Sequence, residues 1–212
     1  MRKLFSILQL AGFYSLFLFF GPIDLRLMPH FYLLFVIGSL GIVLQPGFSS
    51  FDLGTSKDRG TAAQIVWSIQ FSQIAAVLES VTIRYPEAFD WNLINSVALI
   101  CMIIGLLIRT AAVIHLGKAF TWHIAPEEAN TLITNGIYRF CRHPSYLGAF
   151  FLYMGAILFL HAYYAAICAL VLFMIAFSRR IKWEEIALKE YFGTEYDEYA
   201  SRVGRFSPFR WL

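Results

Sequence analysis

Charge is what this 212-residue sequence has least of. Asp, Glu, Lys and Arg make up 15% of it, against about 25% in an ordinary soluble domain. With 58% hydrophobic residues beside it, that scarcity argues against a soluble enzyme. Cysteine is nearly as sparse: Cys101, Cys141 and Cys168 show no metal-ligand spacing and two of them lie in apolar segments, so neither a metal site nor a disulfide framework is expected. Low-complexity tracts and internal repeats are missing, which weighs against a transporter built from duplicated halves. No nucleic-acid partner and no obligate protein partner is expected.

Long apolar runs stand in place of the missing charge. Residues 4–23, 30–47, 61–83, 92–117 and 147–178 contain only Glu79 and Arg109 as charged side chains. About 20 apolar residues cross a hydrocarbon core of about 30 Å, so the chain reads as an all-α, polytopic integral membrane protein. Roughly 90 residues remain for loops and tails, too few for a separate soluble domain of ordinary size. The first run exceeds the 7–15-residue core of a secretory signal and no small-residue cleavage site follows it, so it is expected to stay as a first helix.

Basic residues concentrate in cytoplasmic loops of membrane proteins. With the N-terminus in the cytosol, Arg2, Lys3, Lys57, Arg59, Lys118, Arg139, Arg142 and the seven Lys and Arg residues beyond 178 all fall inside, and only Arg26 and Arg84 fall outside. Keeping both 118–146 and the tail inside requires the run 147–178 to cross and return. Its 32 residues would make a single helix of about 48 Å, well beyond the hydrocarbon core. Six membrane segments are therefore expected, the last two a helical hairpin with its tip near His161. The segment 48–60 mixes Gly, Ser and both charge signs and reads as a solvated loop. A division follows: 1–117 as transmembrane helices, and 118–212 as the part that carries chemistry.

Polar and aromatic residues gather in 118–146 and 179–209, on either side of the proposed hairpin. Gly136-Ile137-Tyr138 is followed by Arg142-His143-Pro144-Ser145-Tyr146-Leu147-Gly148. Pro144 suits the first turn of a helix because its missing N–H leaves nothing unpaired there. Arg142 and His143 then stand at a helix N-terminus, where an anionic group is favoured, and an arginine fork suits a carboxylate. Beyond the hairpin, Ile181, Glu185, Leu188, Phe192, Tyr196, Tyr199 and Val203 recur at helical spacing, a stripe interrupted only by one carboxylate. Glu185 in that stripe needs a cation or donor to be tolerated. Glu184, turned about 100° away, points toward the polar loops. Gly193 is expected to break this region into two short amphipathic helices.

These residues closely resemble the isoprenylcysteine carboxyl methyltransferase family, whose signature joins RHPxxxG, a hydrophobic stretch and a Glu-Glu pair. The likeness covers roughly 120–210. It implies a membrane enzyme that uses S-adenosylmethionine to methylate the C-terminal carboxylate of a prenylated cysteine, with its cofactor pocket facing the cytosol. The membrane would be the endoplasmic reticulum in a eukaryote and the cytoplasmic membrane in a prokaryote. Carried onto this chain, Arg142, Glu185 and Arg109 are the catalytic candidates. Asn130, Gly136, Tyr138, His143, Pro144, Tyr146, Gly148 and Glu184 are the cofactor-binding ones. Phospholipid N-methyltransferases share the Arg-His-Pro and Glu-Glu elements, which leaves an amine lipid as the alternative acceptor.

Two departures from the family pattern stand out. Asn130 occupies a place where the family usually has histidine, so a cofactor carboxylate would be held there by hydrogen bonding without charge. The tail reads Arg202-Val203-Gly204-Arg205-Phe206-Ser207-Pro208-Phe209 where a sequence like RVGTGIPF is common. The chemistry itself asks little of the protein as a base, since a C-terminal carboxyl with a pKa of about 3.3–3.7 is already ionised at neutral pH. Alignment and exclusion of water are what remain to be supplied.

Overall fold

The computed structural model describes residues 2–46, 58–129 and 131–206, and every regular element among them is helical. Seven α-helices follow in order: α1 (Arg2–Phe20), α2 (Pro29–Leu44), α3 (Thr61–Thr82), α4 (Leu93–Leu116), α5 (Pro144–Phe159), α6 (Tyr163–Phe192) and α7 (Thr194–Arg202). Apart from α7 and the C-terminal end of α6, their limits follow the apolar runs within a few residues because the same signals set both. Pro29 and Pro144 occupy the first turns of α2 and α5. Asn92 and Asn95 cap α4 reciprocally, each side chain accepting from the other residue's backbone N–H. Three helices, Thr61–Thr82, α4 with its extension to Ala119, and Tyr163–Phe192, are long and apolar enough to cross a membrane. Ser6–Phe20, Pro29–Leu44 and Pro144–Phe159 are shorter apolar helices.

The run 147–178 is broken at 160–162, where His161 adopts φ +50° and its Nε2 lies 3.2 Å from Asn92 Nδ2. Residues 179–192 do not form a separate amphipathic piece as expected; they continue α6, because nothing between Tyr163 and Phe192 is Gly or Pro. At 1.5 Å per residue the 30 residues of α6 extend about 45 Å. Its apolar half ends at Ser178, and the charged half runs on beyond it. The break expected at Gly193 is present, and α7 follows it.

Glu79, one of the two charges in the apolar runs, caps α6. Its carboxylate accepts the backbone N–H groups of Tyr164 (3.1 Å) and Ala165 (2.8 Å), which the first turn of a helix leaves without partners. It does not meet Arg109. Glu79→Ala is expected to lower stability by about 1 kcal/mol, a fall in Tm of about 2–4 °C in a protein of this size. Thermal unfolding of the detergent-solubilised protein checks this, and an unchanged Tm would remove the capping role.

α4 packs most closely on α5, and α3 on α6. Glycine makes the first contact possible. A methyl group at Gly105 would strike the backbone nitrogen of Leu152, and one at Gly148 would lie 2.6 Å from the backbone nitrogen of Arg109 and 2.7 Å from the Gly105 carbonyl. Small residues on facing helices let two backbones touch, which is how membrane helices gain packing where hydrophobicity alone offers little. The Gly that closes the RHPxxxG motif is thus a packing residue, and it sets Arg109 beside the start of α5.

The segment 48–60 was expected to be a solvated loop. Residues 48–57 lie outside the described residues, but Asp58 is fully buried. It forms an ion pair with Arg180 of α6, itself 4% exposed, and its other oxygen accepts the Ala62 N–H at 3.0 Å. The correction has a simple cause: the carboxylate that starts α3 meets a cation 122 residues away, a partner local composition does not reveal.

Candidate active site

The charged half of α6, the start of α5 and the described residues between 119 and 138 surround one end of a cavity of about 440 Å³. Arg109, Arg142, His143, Tyr146, Glu184 and Tyr138 line that end. The other end runs between helices, past Leu34 and Ile37 of α2, Ile65 of α3, Met102 of α4 and Leu152 and Ala156 of α5. A polar chamber and an apolar channel are therefore parts of one space.

Each polar side chain is placed by local structure. Pro144 starts α5, so Arg142 and His143 precede its first turn, and the chain after α7 docks there: the N–H groups of Arg142 and His143 donate to the carbonyls of Gly204 (3.0 Å) and Arg205 (3.1 Å). This docking brings two arginines and a histidine to one carboxylate. Glu185 Oε1 lies 2.9 Å from Arg142 Nη2 and 3.1 Å from His143 Nε2, and its Oε2 lies 2.6 Å from Arg205 Nη2. Burial would push the Glu185 carboxyl up, but hydrogen bonds from His143 and Arg205 and the charges of His143 and Arg142 reverse this and hold it at about 2, below its ordinary 4.5. Glu185 stands some 10 Å beyond the end of the apolar half of α6. It is an anion at neutral pH and is poorly suited to proton transfer. The same contact raises the Arg205 guanidinium.

Arg142 is similarly committed. Its second terminal nitrogen donates to the Ala200 carbonyl of α7 at 3.0 Å, and its buried Nε has no hydrogen-bond partner among the described residues. Glu184 is the carboxylate of the pair that lines the cavity; it accepts from the Tyr146 hydroxyl at 2.5 Å, and Tyr146 in turn accepts from Arg180 Nε at 3.1 Å. Arg180 Nη2 reaches the Trp122 carbonyl at 3.1 Å, which ties the segment above the cavity to α6 and, through Asp58, to α3. Arg109 is 8% exposed. Its Nε donates to Gln45 Oε1 (2.8 Å), its Nη1 to the carbonyl (3.2 Å) and hydroxyl (3.1 Å) of Ser145, and its guanidinium stands 5.7 Å from the centre of the Trp122 ring.

The remaining candidates shape the wall. Tyr199 donates to the Tyr138 carbonyl at 2.7 Å and Tyr138 to the Ala112 carbonyl at 3.4 Å, a chain from α7 to α4; burial raises both phenols, and Cys141 beside them likewise. Gly136 has φ +56° and the His115 ring occupies the space a Cβ would need. Among the described residues Gly136, Pro144, Gly148 and Glu185 stand behind the lining. Asn130 lies outside the described residues. The stripe expected on 181–203 is present: Ile181 is buried in the main core, and Tyr196, Tyr199 and Val203 are buried and pack with the partly covered Leu188 and Phe192. Sequence reasoning missed Asp58, Arg180, Gln45 and Ser145. Each is tied to the site by a partner at least 36 residues away.

A helical, membrane-embedded protein with a charged chamber opening into an apolar channel is the class that fold and site define. The family described as isoprenylcysteine carboxyl methyltransferase matches residues 98–190, which include most of α4, the Arg-His-Pro segment and the Glu-Glu pair. The chain is 35% identical over 148 residues to a probable protein-S-isoprenylcysteine O-methyltransferase of Oryza sativa subsp. indica, covering 69% of this chain and 76% of that one. It is 35% identical over 142 residues to protein-S-isoprenylcysteine O-methyltransferase A of Arabidopsis thaliana (65% and 72%). It is 32% identical over 163 residues to the protein-S-isoprenylcysteine O-methyltransferase of Mus musculus (76% and 54%). The chain belongs to the isoprenylcysteine carboxyl methyltransferase family.

Proposed function

We propose that this protein methylates the C-terminal carboxylate of a prenylated cysteine, with S-adenosylmethionine as methyl donor. The observation that carries the reading is the continuity of the cavity. An acceptor with an anion at one end and an isoprenoid chain at the other needs a cationic chamber joined to an apolar channel, and both are present in one space. The names of the relatives specify transfer to oxygen, which sets the amine-lipid alternative behind this one.

The residues of the chamber fit a zwitterionic, sulfonium-bearing cofactor. The Arg142 Nε is a buried donor without a partner among the described residues, Glu184 is a carboxylate with no cation paired to it among them, and Tyr138 and Trp122 offer aromatic faces. Arg142, His143, Tyr146 and Glu184 would hold the cofactor, with Asn130 as a further candidate. When bound it supplies a sulfonium methyl as the electrophile. Arg109 binds and orients the acceptor carboxylate, which is already ionised and needs no base. Glu185 keeps Arg142 and His143 in place. The close seam of α4 and α5 and the Trp122 segment exclude water, so the attraction between opposite charges is stronger than in solution.

The topology that suits this chemistry has six membrane segments, with α5 and α6 crossing and returning. Residues 1–117 form the lipid-facing part and 118–212 the catalytic part, open to the cytosol, where a water-soluble cofactor enters. Endoplasmic reticulum or cytoplasmic membrane follows from the kind of cell. Membrane lipids and prenylated protein C-termini are the partners. The test is transfer of labelled methyl from S-adenosylmethionine to farnesylcysteine analogues and to phospholipids in detergent. Label in a base-labile ester of the prenylcysteine is the expected result, and label in an amine lipid alone would overturn the reading.

A further inference from the structure

Three arginines border the cavity, Arg109 and Arg180 buried and Arg142 12% exposed, and they are not balanced alike. Arg142 faces the Glu185 carboxylate and Arg180 faces Asp58. Arg109, 8% exposed, has only neutral partners among the described residues: the amide oxygen of Gln45, the hydroxyl and carbonyl of Ser145, and the ring of Trp122. A buried cation is costly unless an anion meets it. Two of its three nitrogens are fixed, and Nη2 has no hydrogen bond among the described residues. The arrangement holds the guanidinium in one orientation without neutralising it.

Gln45 does this from an unusual position. It follows the last turn of α2, where its own N–H donates to the Gly41 carbonyl at 3.2 Å, so its backbone is anchored while its side chain reaches across to α4. Its amide oxygen accepts the Nε proton at 2.8 Å. A glutamate would accept the same proton but would also cancel the charge. A neutral acceptor fixes the fork and leaves its attraction for a ligand anion intact.

Resting on the reading of the site as a prenylcysteine methyltransferase, we infer that Gln45 is a positioning residue for Arg109, which reserves that guanidinium's uncompensated charge for the acceptor carboxylate. Selectivity for the free acid over its methyl ester, and with it release of the neutral product, then depends on the amide at position 45. Ser145 supplies the second brace from the start of α5, at the place where Gly105 and Gly148 bring the two helices into backbone contact.

The test measures binding as well as turnover. Farnesylcysteine free acid and its methyl ester are titrated against the detergent-solubilised protein, and steady-state constants are measured in parallel. The unaltered protein is expected to bind the acid more tightly than the ester. Gln45→Glu should weaken binding of the acid by roughly tenfold or more, the loss expected when a charged hydrogen bond is withdrawn. Binding of the ester and of S-adenosylmethionine should be unchanged, and the acceptor KM should rise more than kcat falls. Gln45→Leu, which keeps the charge but frees the fork, should lower kcat more than it raises KM. Equal loss of acid and ester affinity in Gln45→Glu, or no loss in either, would overturn the role of Gln45. No methyl transfer to prenylcysteine by the unaltered protein would instead overturn the function on which it rests.

Discussion

Glu185→Ala is expected to abolish methyl transfer while leaving the protein inserted in the membrane. Its carboxylate is where Arg142, His143 and Arg205 converge at 2.6–3.1 Å, and Arg142 and His143 are 12% and 3% exposed. Removing the anion leaves the largely buried Arg142 guanidinium without its counter-ion and the buried His143 ring without its hydrogen-bond partner. It also releases the segment after α7 that pairs with the start of α5. Breaking a buried pair from one side costs about 3–5 kcal/mol. At 1.36 kcal/mol per decade, that energy lost at the reacting geometry lowers the rate by at least about a hundredfold. Arg142→Ala should be as damaging, because it removes the tie between Glu185 and the Ala200 carbonyl. Glu185→Gln keeps acceptors for some of the hydrogen bonds and should retain part of the activity. Labelled-methyl transfer measures the effect, and wild-type rates in Glu185→Ala would remove the clamp from the mechanism. The pH dependence has a definite sign. A carboxyl lowered from 4.5 to about 2 contributes stability above about 4.5 that is lost as pH falls toward 2, so Glu185 should add no acidic limb to the activity profile above pH 5.

Asp58→Ala should give the largest loss of stability. Arg180 is 4% exposed and would lose its counter-ion while still bound to Trp122 and Tyr146, and the Ala62 N–H would lose its acceptor. An uncompensated buried charge costs about 3–5 kcal/mol, which corresponds to a fall in Tm of about 6–20 °C for a chain of this length. Thermal unfolding in detergent is the measurement. Replacing both partners together, Asp58→Leu with Arg180→Met, should recover much of the loss, because removing a whole pair spares the orphaned charge. A Tm within a degree or two of the unaltered protein in Asp58→Ala would show that solvent reaches Arg180 and that the pair does not bind α3 to α6. Because Arg180 also holds the Trp122 carbonyl over the cavity, the same variant should weaken cofactor binding.

The parts of the site that were legible in the sequence were those whose partners are near in the chain or whose residue type admits few alternatives. Pro144 announces a helix start because its ring fits only there. Glu185 stood out as a carboxylate in an apolar stripe, which predicts cations or donors around it, and Arg142, His143 and Arg205 supply them. Asp58 gave no such signal: in a segment of Gly, Ser and mixed charge, a buried acid and a solvated one look alike. Gln45 is equally mute, an amide after an apolar run whose significance lies in an arginine 64 residues later. Arg142, the sequence's best candidate for a carboxylate grip, turned out to have both terminal nitrogens committed within the protein.

Hydrophobic periodicity and helix-terminating residues determined by themselves that this chain is helical and membrane-embedded and where most of its helices begin and end, because those properties are local and summed over many side chains. The RHPxxxG and Glu-Glu elements likewise placed it in its family. Only the tertiary structure decided which charges cancel. Glu184 and Glu185 are neighbours, yet one lines the cavity and the other is bound by two arginines and a histidine. Arg109 and Arg180 are both buried, yet only Arg180 meets a carboxylate. Charge balance in a low-dielectric interior is set by distances of a few ångströms between residues far apart in the chain, and those distances come into being only when the helices pack.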